Sequence, residues 1–259
     1  MTETVLVERD GAIATVILNR PEKLNALTRA MWRRLGEIIE SLSADDDLRC
    51  VVLRGAGGKA FAAGADIGEF ETERANRERA GVYAAEVGRA IASIQACRHP
   101  TLALIEGACV GGGLEVAAFC DMRICGESSS FGVPIKRLGL VVGYEELRGL
   151  IALVGRAATL EILLEGRVFG ADEALRMGLV NRVVPDGEVE EEAYATARRI
   201  AEGAPLVARW HKRFIKRLDD PAPLTDAELE ETLACYDTDD FRRGYQAFLA
   251  KKTPEFTGR

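Results

Sequence analysis

Apolar and polar residues alternate along "TVLVER" and "IATVILN", and the "DG" between them predicts a hairpin of two strands. In "TRAMWRRLGEIIESL" the apolar spacing changes to three and four, which predicts a helix with Thr28 as its N-cap. "CVVLRG" reads as a buried strand, and the following "AGGKAFAAGADIGEF" reads as a long loop rich in glycine and alanine. A helix ending near Cys97 comes next, then the strand "TLALIEG". "DMRIC" and "SFGV" are further strands, and helices begin near Tyr144 and Arg156. Strand, strand and helix recur in that order, which is an α/β architecture. From about Glu188 the pattern is helical only, broken by "DDPAPLTD" at 219–226. Residues 1–190 therefore read as the body, and 191–259 as a helical region for packing or assembly.

One stretch resists this reading. "CVGGGLEVAAFCD", residues 109–121, has the apolar pattern of a buried helix, yet it carries three consecutive glycines and Glu115. Glycine is a poor helix former, and a lone carboxylate is a poor core residue. The unpaired N–H groups of a first helical turn offer one explanation, because glycines there let a ligand oxygen approach the main chain. Gly112 N–H is then a candidate oxyanion donor, with Glu115 projecting from the same turn. "FAAGADI" could supply a second N–H from Ala65. Two convergent donors beside a carboxylate suit chemistry at a polarised carbonyl. The same residues also suit a plainer account, in which the glycines permit tight helix–strand packing and Glu115 belongs to a capping box.

Composition narrows the field. A chain of 259 residues, 47% hydrophobic and 29% charged, has the balance of a soluble protein with a sizeable core. No apolar run approaches the roughly 18–20 residues that span a bilayer. The acidic, alternating N-terminus reads as a strand rather than a targeting peptide, which predicts a cytoplasmic location. A net charge of −7 argues against nucleic acid as the main partner. The six cysteines form no C-x-x-C pair and read as buried free thiols, with no metal site implied. His99 and His211 are the only histidines and no G-x-S-x-G elbow accompanies them, which disfavours a Ser-His-Asp hydrolase. "GAGGKA" falls short of a P-loop, and "GGGLEV" falls short of a dinucleotide fingerprint because Val116 stands at its third glycine position.

The sequence resembles the crotonase superfamily of enoyl-CoA hydratases and isomerases. The likeness is carried by "LNRPEKLNAL" (18–27), "VVLRGAGGKAFAAGADIGEF" (51–70), "VGGGLEVAAFCDMRI" (110–124) and "FGVPIKRLGL" (131–140). "GRVFGADEALRMGLVNRVVP" (166–185) and the terminal "AFLAKKTPEF" extend it along the chain. The resemblance implies a crotonase-like spiral of ββα units with a C-terminal helical trimerisation region, assembled as a homotrimer or homohexamer. It implies an acyl-CoA thioester as substrate, with coenzyme A part of that substrate and no separate cofactor. It matches Ala65 and Gly112 to the two N–H donors that stabilise an enolate, and Glu115 to one of two catalytic glutamates. Lys23, Leu24, Ala63, Gly64, Ala65, Asp66 and Ile67 match residues that border CoA. Phe248 and Lys251 match residues that approach the CoA of a neighbouring subunit.

The resemblance breaks at the second glutamate, whose position holds Ile135. An aliphatic side chain cannot transfer a proton. Lys136 is adjacent but would face away if the segment is extended. Tyr144, Glu145 and Glu146 stand where the family has glycines, and Tyr144 or Glu145 is the auxiliary group expected from sequence. Three readings follow: a hydratase or isomerase relying on Glu115, another enolate reaction such as decarboxylation or thioester hydrolysis, or a non-catalytic acyl-CoA-binding protein.

Overall fold

The structure is a computed structural model and describes residues 3–259. Strands β1 (Val5–Asp10) and β2 (Ile13–Leu18) form the expected antiparallel hairpin, with Gly11 at φ +56° in its turn. Helix α1 (Arg29–Ala44) starts where its cap predicts, since the Thr28 hydroxyl accepts from Met31 N–H at 3.2 Å. It buries Met31, Trp32, Leu35, Ile38 and Ile39, the stripe that the three-and-four spacing marks out. Strand β3 (Cys50–Gly55) then pairs parallel with β2.

The next segment corrects the sequence reading. Within the stretch read as a long loop lies a strand, β4 (Ala60–Ala62), followed by a 3-10 turn at Ile67–Glu69. Three residues are too few for a periodic signal, and β4 exists because a later strand pairs with it. Helix α2 (Phe70–Glu73) leads to α3 (Arg77–Ala96), which Asn76 caps by accepting from Arg79 N–H at 3.0 Å. Strands β5 (Thr101–Ile105) and β6 (Ala108–Val110) precede α4 (Gly112–Ala118). The presumed buried helix at 109–121 is therefore the end of a strand and a short helix joined at Gly111.

After β7 (Met122–Gly126) and β8 (Ser130–Gly132), helix α5 (Tyr144–Glu165) is interrupted at Gly155, where φ is +72° and ψ 170°. This break is why the pattern predicts two starts, near Tyr144 and Arg156. Strand β9 (Phe169–Gly170), helix α6 (Ala171–Arg176), strand β10 (Arg182–Val184) and helix α7 (Val189–Ala201) complete the body.

The strands fall into two sheets, ordered β1-β2-β3-β5-β7-β10 and β4-β6-β8-β9. Three successive pairs, β3/β4, β5/β6 and β7/β8, each send their first strand to the larger sheet and their second to the smaller one. The chain thus advances as a spiral of two-strand units. Apart from the β1–β2 and β8–β9 pairs, neighbouring strands run parallel, so each step needs a crossover. Parallel sheets need cover on both faces. One face of the larger sheet packs Val16, Leu53, Ala103 and Ile105 into the main core with α1 and α3. The other packs Val52, Leu102 and Ile124 against Val189, Ala193 and Ala197 of α7.

Helices α8 (Pro205–Arg217), α9 (Asp226–Glu231) and α10 (Asp239–Leu249) bury few residues of their own. Polar contacts hold them to the body: Lys212 Nζ lies 2.7 Å from Asp121 Oδ2 and donates to the His99 carbonyl at 3.0 Å. His99 itself is fully buried, and burial, then Arg209 and Arg98, push its pKa down to about 4, so the ring is neutral. No helix among the described residues is long and apolar enough to cross a membrane.

The packing of α4 on β4 is the tightest contact near the glycine run. A Cβ on Gly113 would lie 2.9 Å from both the carbonyl carbon and the Cβ of Ala62. Gly81, exposed in α3, has open space around it. Gly113→Ala should destabilise the fold by about 3 kcal/mol, whereas Gly81→Ala should stabilise it by about 0.5–1 kcal/mol. Urea unfolding midpoints measured with unchanged slopes would check both signs.

Candidate active site

The three glycines of "VGGGLE" meet three different demands. Gly111 adopts φ +51°, a conformation that lets β6 turn abruptly into α4. Gly112 is the first helical residue, and a Cβ on it would lie 3.0 Å from the Trp32 ring and 3.6 Å from Ala65 N. Gly113 has no room for a side chain against β4. The packing explanation therefore holds for Gly113, while Gly112 leaves its main chain bare beside a second backbone segment. Glu115 forms no capping box: its N–H donates to Gly111 O at 2.9 Å, the first i→i−4 bond of the helix.

That second segment is the turn at Gly64. Leu27 N–H donates to Gly64 O at 2.7 Å, and Asp66 N–H donates to Leu27 O at 2.9 Å. This parallel bridge turns the Ala65 N–H away from Leu27. Gly64 has φ +103°, and a Cβ there would lie 3.3 Å from Val110 O and 3.8 Å from Gly112 N. Neither Ala65 N–H nor Gly112 N–H has a hydrogen-bond partner among the described residues. Two free donors from separate segments are thus held side by side.

The neighbouring turn is tied to the same place. Leu24 has φ +50°, and its carbonyl accepts from Ala63 N–H at 3.0 Å. Asn25, fully buried at φ +56°, donates to Ala60 O at 2.7 Å and to Ala56 O at 3.0 Å, and it accepts from Arg20 N–H. Sequence reasoning passed over Asn25, although asparagine tolerates left-handed backbone and bonds nearby main chain. Asp66 pairs with Arg20 at 2.9 Å and caps the 3-10 turn through Gly68 N–H. Burial raises its pKa, but Arg20 and the Gly68 N–H outweigh that and hold it low. Lys23 and Ile67 are exposed beside these turns. Phe248 and Lys251 lie exposed at the end of α10, with no hydrogen bond to the turn in this chain.

Glu115, in the first turn of α4 with Gly112, is half-buried. Burial first, and then the charge of Glu146, raise its carboxyl pKa to about 7 against the opposing charge of Arg74. Arg74 stacks on Phe70 and Tyr83 at 4.6 and 4.7 Å from the ring centroids. Tyr83 is buried and accepts from Trp32 Nε1 at 3.1 Å, bracing α3 on α1. Nothing local in the sequence marks Arg74, which reaches the site only through the packing of α3.

The chain is similar to known proteins along nearly its whole length. The enoyl-CoA hydratase/isomerase family model matches residues 8–259. The chain belongs to that family. A probable enoyl-CoA hydratase of Mycobacterium tuberculosis is 35% identical over 259 residues, covering 99% of each chain. A short-chain-enoyl-CoA hydratase of Clostridium acetobutylicum is 33% identical, over 97% of this chain and 96% of the relative. The crystal structure of an enoyl-CoA hydratase/carnithine racemase from Magnetospirillum magneticum matches at TM-score 0.98 and 52% identity, over 100% of this chain and 97% of that one. The spiral is accordingly the crotonase fold, and the chain is an enoyl-CoA hydratase/isomerase-family enzyme acting on acyl-CoA.

One premise of the sequence reading needs correction in the segment after β8. Residues Pro134–Leu138 form a 3-10 helix, so the premise of an extended chain fails. Ile135 packs against the main core, while Lys136 Nζ donates to Leu164 O at 2.6 Å on the exterior. Tyr144 is 89% exposed, and Glu145 is exposed 3.9 Å from Arg148. The carboxylate of that segment whose charge reaches Glu115 is Glu146. Helix phase decides this, because consecutive residues at a helix start point about 100° apart.

The raised pKa of Glu115 has a consequence for stability. Between its ordinary 4.5 and about 7, the folded chain keeps a proton that the unfolded chain has released. Stability from this group is therefore lost as pH rises through that window. Glu115→Gln removes the difference. Relative to wild type, the variant should gain on the order of 2 kcal/mol between pH 5 and pH 8, read by urea unfolding at both values.

Proposed function

We propose that the enzyme stabilises an enolate of its acyl-CoA substrate between the Ala65 and Gly112 N–H groups, while Glu115 moves a proton at the α-carbon. The observation that carries this reading is the pair of unpartnered donors held side by side, with Glu115 in the first turn of the same helix as Gly112. Adding or removing a proton next to a thioester places negative charge on the thioester oxygen. Fixed N–H dipoles stabilise that charge without reorganising. A carboxyl group with pKa near 7 exists in both acid and base forms around neutrality, as a reversible proton carrier requires.

Lys23, Leu24 and the turn Ala63–Ile67 would border the CoA portion. Phe248 and Lys251 would reach it from a neighbouring copy, so the reading includes assembly as a homotrimer or homohexamer. Leu229, Leu233, Tyr236, Phe248 and Leu249 support assembly, since these large apolar side chains are all more than half exposed in the single chain. Coenzyme A enters as part of the substrate. A second reading, decarboxylation or thioester hydrolysis, is favoured by Ile135, whose position offers no second proton carrier.

A panel of enoyl-, malonyl- and β-keto-acyl-CoAs incubated in heavy water distinguishes these reactions by product mass. Glu115→Gln should lower turnover by about two orders of magnitude or more and leave thioester affinity within a few-fold. Unchanged turnover in that variant would remove Glu115 from the mechanism. Tight binding without any turnover in wild type would make the chain an acyl-CoA-binding protein. Light scattering should report three or six copies, and a stable monomer at micromolar concentration would refute the assembly.

A further inference from the structure

Helices α4 and α5 meet where Phe119, at the end of α4, lies against Gly149. A Cβ on Gly149 would fall 2.6 and 2.7 Å from ring atoms of Phe119, so only glycine permits this approach. Glu115 stands four residues before Phe119 and Glu146 three before Gly149, each on the face of its helix that makes the contact. Glu146 is half-buried and has no hydrogen bond or ion pair among the described residues. Its side chain curls back over Gly143, where a Cβ would lie 3.2 Å from its Cδ. Gly143 thereby leaves the space that the carboxylate occupies.

We propose that Glu146 is the second proton-transfer group of this site, taking the place of the carboxylate that position 135 lacks; the inference rests on the enolate reading above. The charged and titratable groups facing Glu115 are Glu146 from α5, Arg74 from the turn after α2, and Tyr83 from α3. Of these, Glu146 alone is a carboxylate without a hydrogen bond or ion pair among the described residues. Two carboxyl groups placed together split their roles, one keeping its proton and the other losing it. With Glu115 as the protonated member, Glu146 takes a proton from water as the water oxygen bonds to the β-carbon of an enoyl-CoA. The Cα–Cβ π electrons shift to form the enolate, and Glu115 delivers its proton to the α-carbon. The product is the 3-hydroxyacyl-CoA, and the proton on Glu146 returns to Glu115. The net change is addition of one water.

The test uses two reactions of the intact protein. Hydration of a short trans-2-enoyl-CoA needs both carboxyl groups, whereas α-proton exchange of a saturated acyl-CoA in heavy water needs only Glu115 and the two N–H donors. Glu146→Gln should lower kcat for hydration about 100-fold, with exchange kept within about tenfold. It should also move the pH midpoint of kcat/KM to lower values, because removing a neighbouring negative charge lowers the pKa of Glu115. Gly143→Ala, which displaces the carboxylate without changing charge, should reproduce the selective loss of hydration. Hydration at the wild-type rate in Glu146→Gln, or equal loss of hydration and exchange, would overturn the proposal. Exchange without hydration in wild type would overturn it as well. Absence of both reactions in wild type would instead bring down the enolate reading itself.

Discussion

The Gly64 turn approaches the start of α4 so closely that a Cβ on Gly64 or Gly111 would touch the other segment, and the rest of the site depends on that approach. It uses positive φ at Gly64 and Gly111 and a bare main chain at Gly112, while Gly113 is bare because β4 lies against it. The two segments come from different units of the spiral, one after β4 and one after β6. Pairing of β4 with β6 in the smaller sheet brings them level. The bridge to Leu27 then fixes which way the Ala65 N–H points. Donors left without partners at a buried and a half-buried residue are unfavourable for folding. Their retention is the structural argument for a ligand oxygen between them.

Electrostatics at the site follow from what surrounds Glu115 rather than from the residue alone. Apolar packing and the charge of Glu146 favour its protonated form, and Arg74 restrains the shift. Arg74 is held by two aromatic faces, and one of these, Tyr83, is braced by Trp32, whose ring also limits the space at Gly112. The donors and the carboxyl group thus share a common buttress in α1 and α3. A substitution in that buttress would disturb both the geometry and the proton affinity of the site.

The C-terminal helices follow a different logic. Within one chain they attach through polar contacts such as Lys212 with Asp121, and Arg209 donating to Asp46 O at 3.1 Å. Several of their large apolar side chains, Leu229, Leu233, Tyr236, Phe248 and Leu249 among them, remain outside. The body, in contrast, buries apolar surface on both faces of its larger sheet. The body is built to hold itself together, and the exposed apolar side chains of the tail are what support the proposed assembly.

Much of this protein was legible from residue order because the signals are local. The three-and-four spacing of Met31, Trp32, Leu35 and Ile38 needs only neighbouring residues to specify a helix face, and Thr28 caps it within one turn. The motifs around Gly64 and Gly112 carried the family for the same reason. Strands β4, β6 and β9, of three, three and two residues, gave no periodic signal, since their hydrogen bonds come from chain far away in sequence. That the charge of Glu146, among the residues at the start of α5, acts on Glu115 was equally out of reach. It depends on the phase of α5 about its axis, which the packing of Gly149 against Phe119 sets. Local sequence determined the helices, the caps and the family. Only tertiary packing decided which carboxylates face each other and which glycine exposes a donor, because those are contacts between segments whose mutual distance no local pattern encodes.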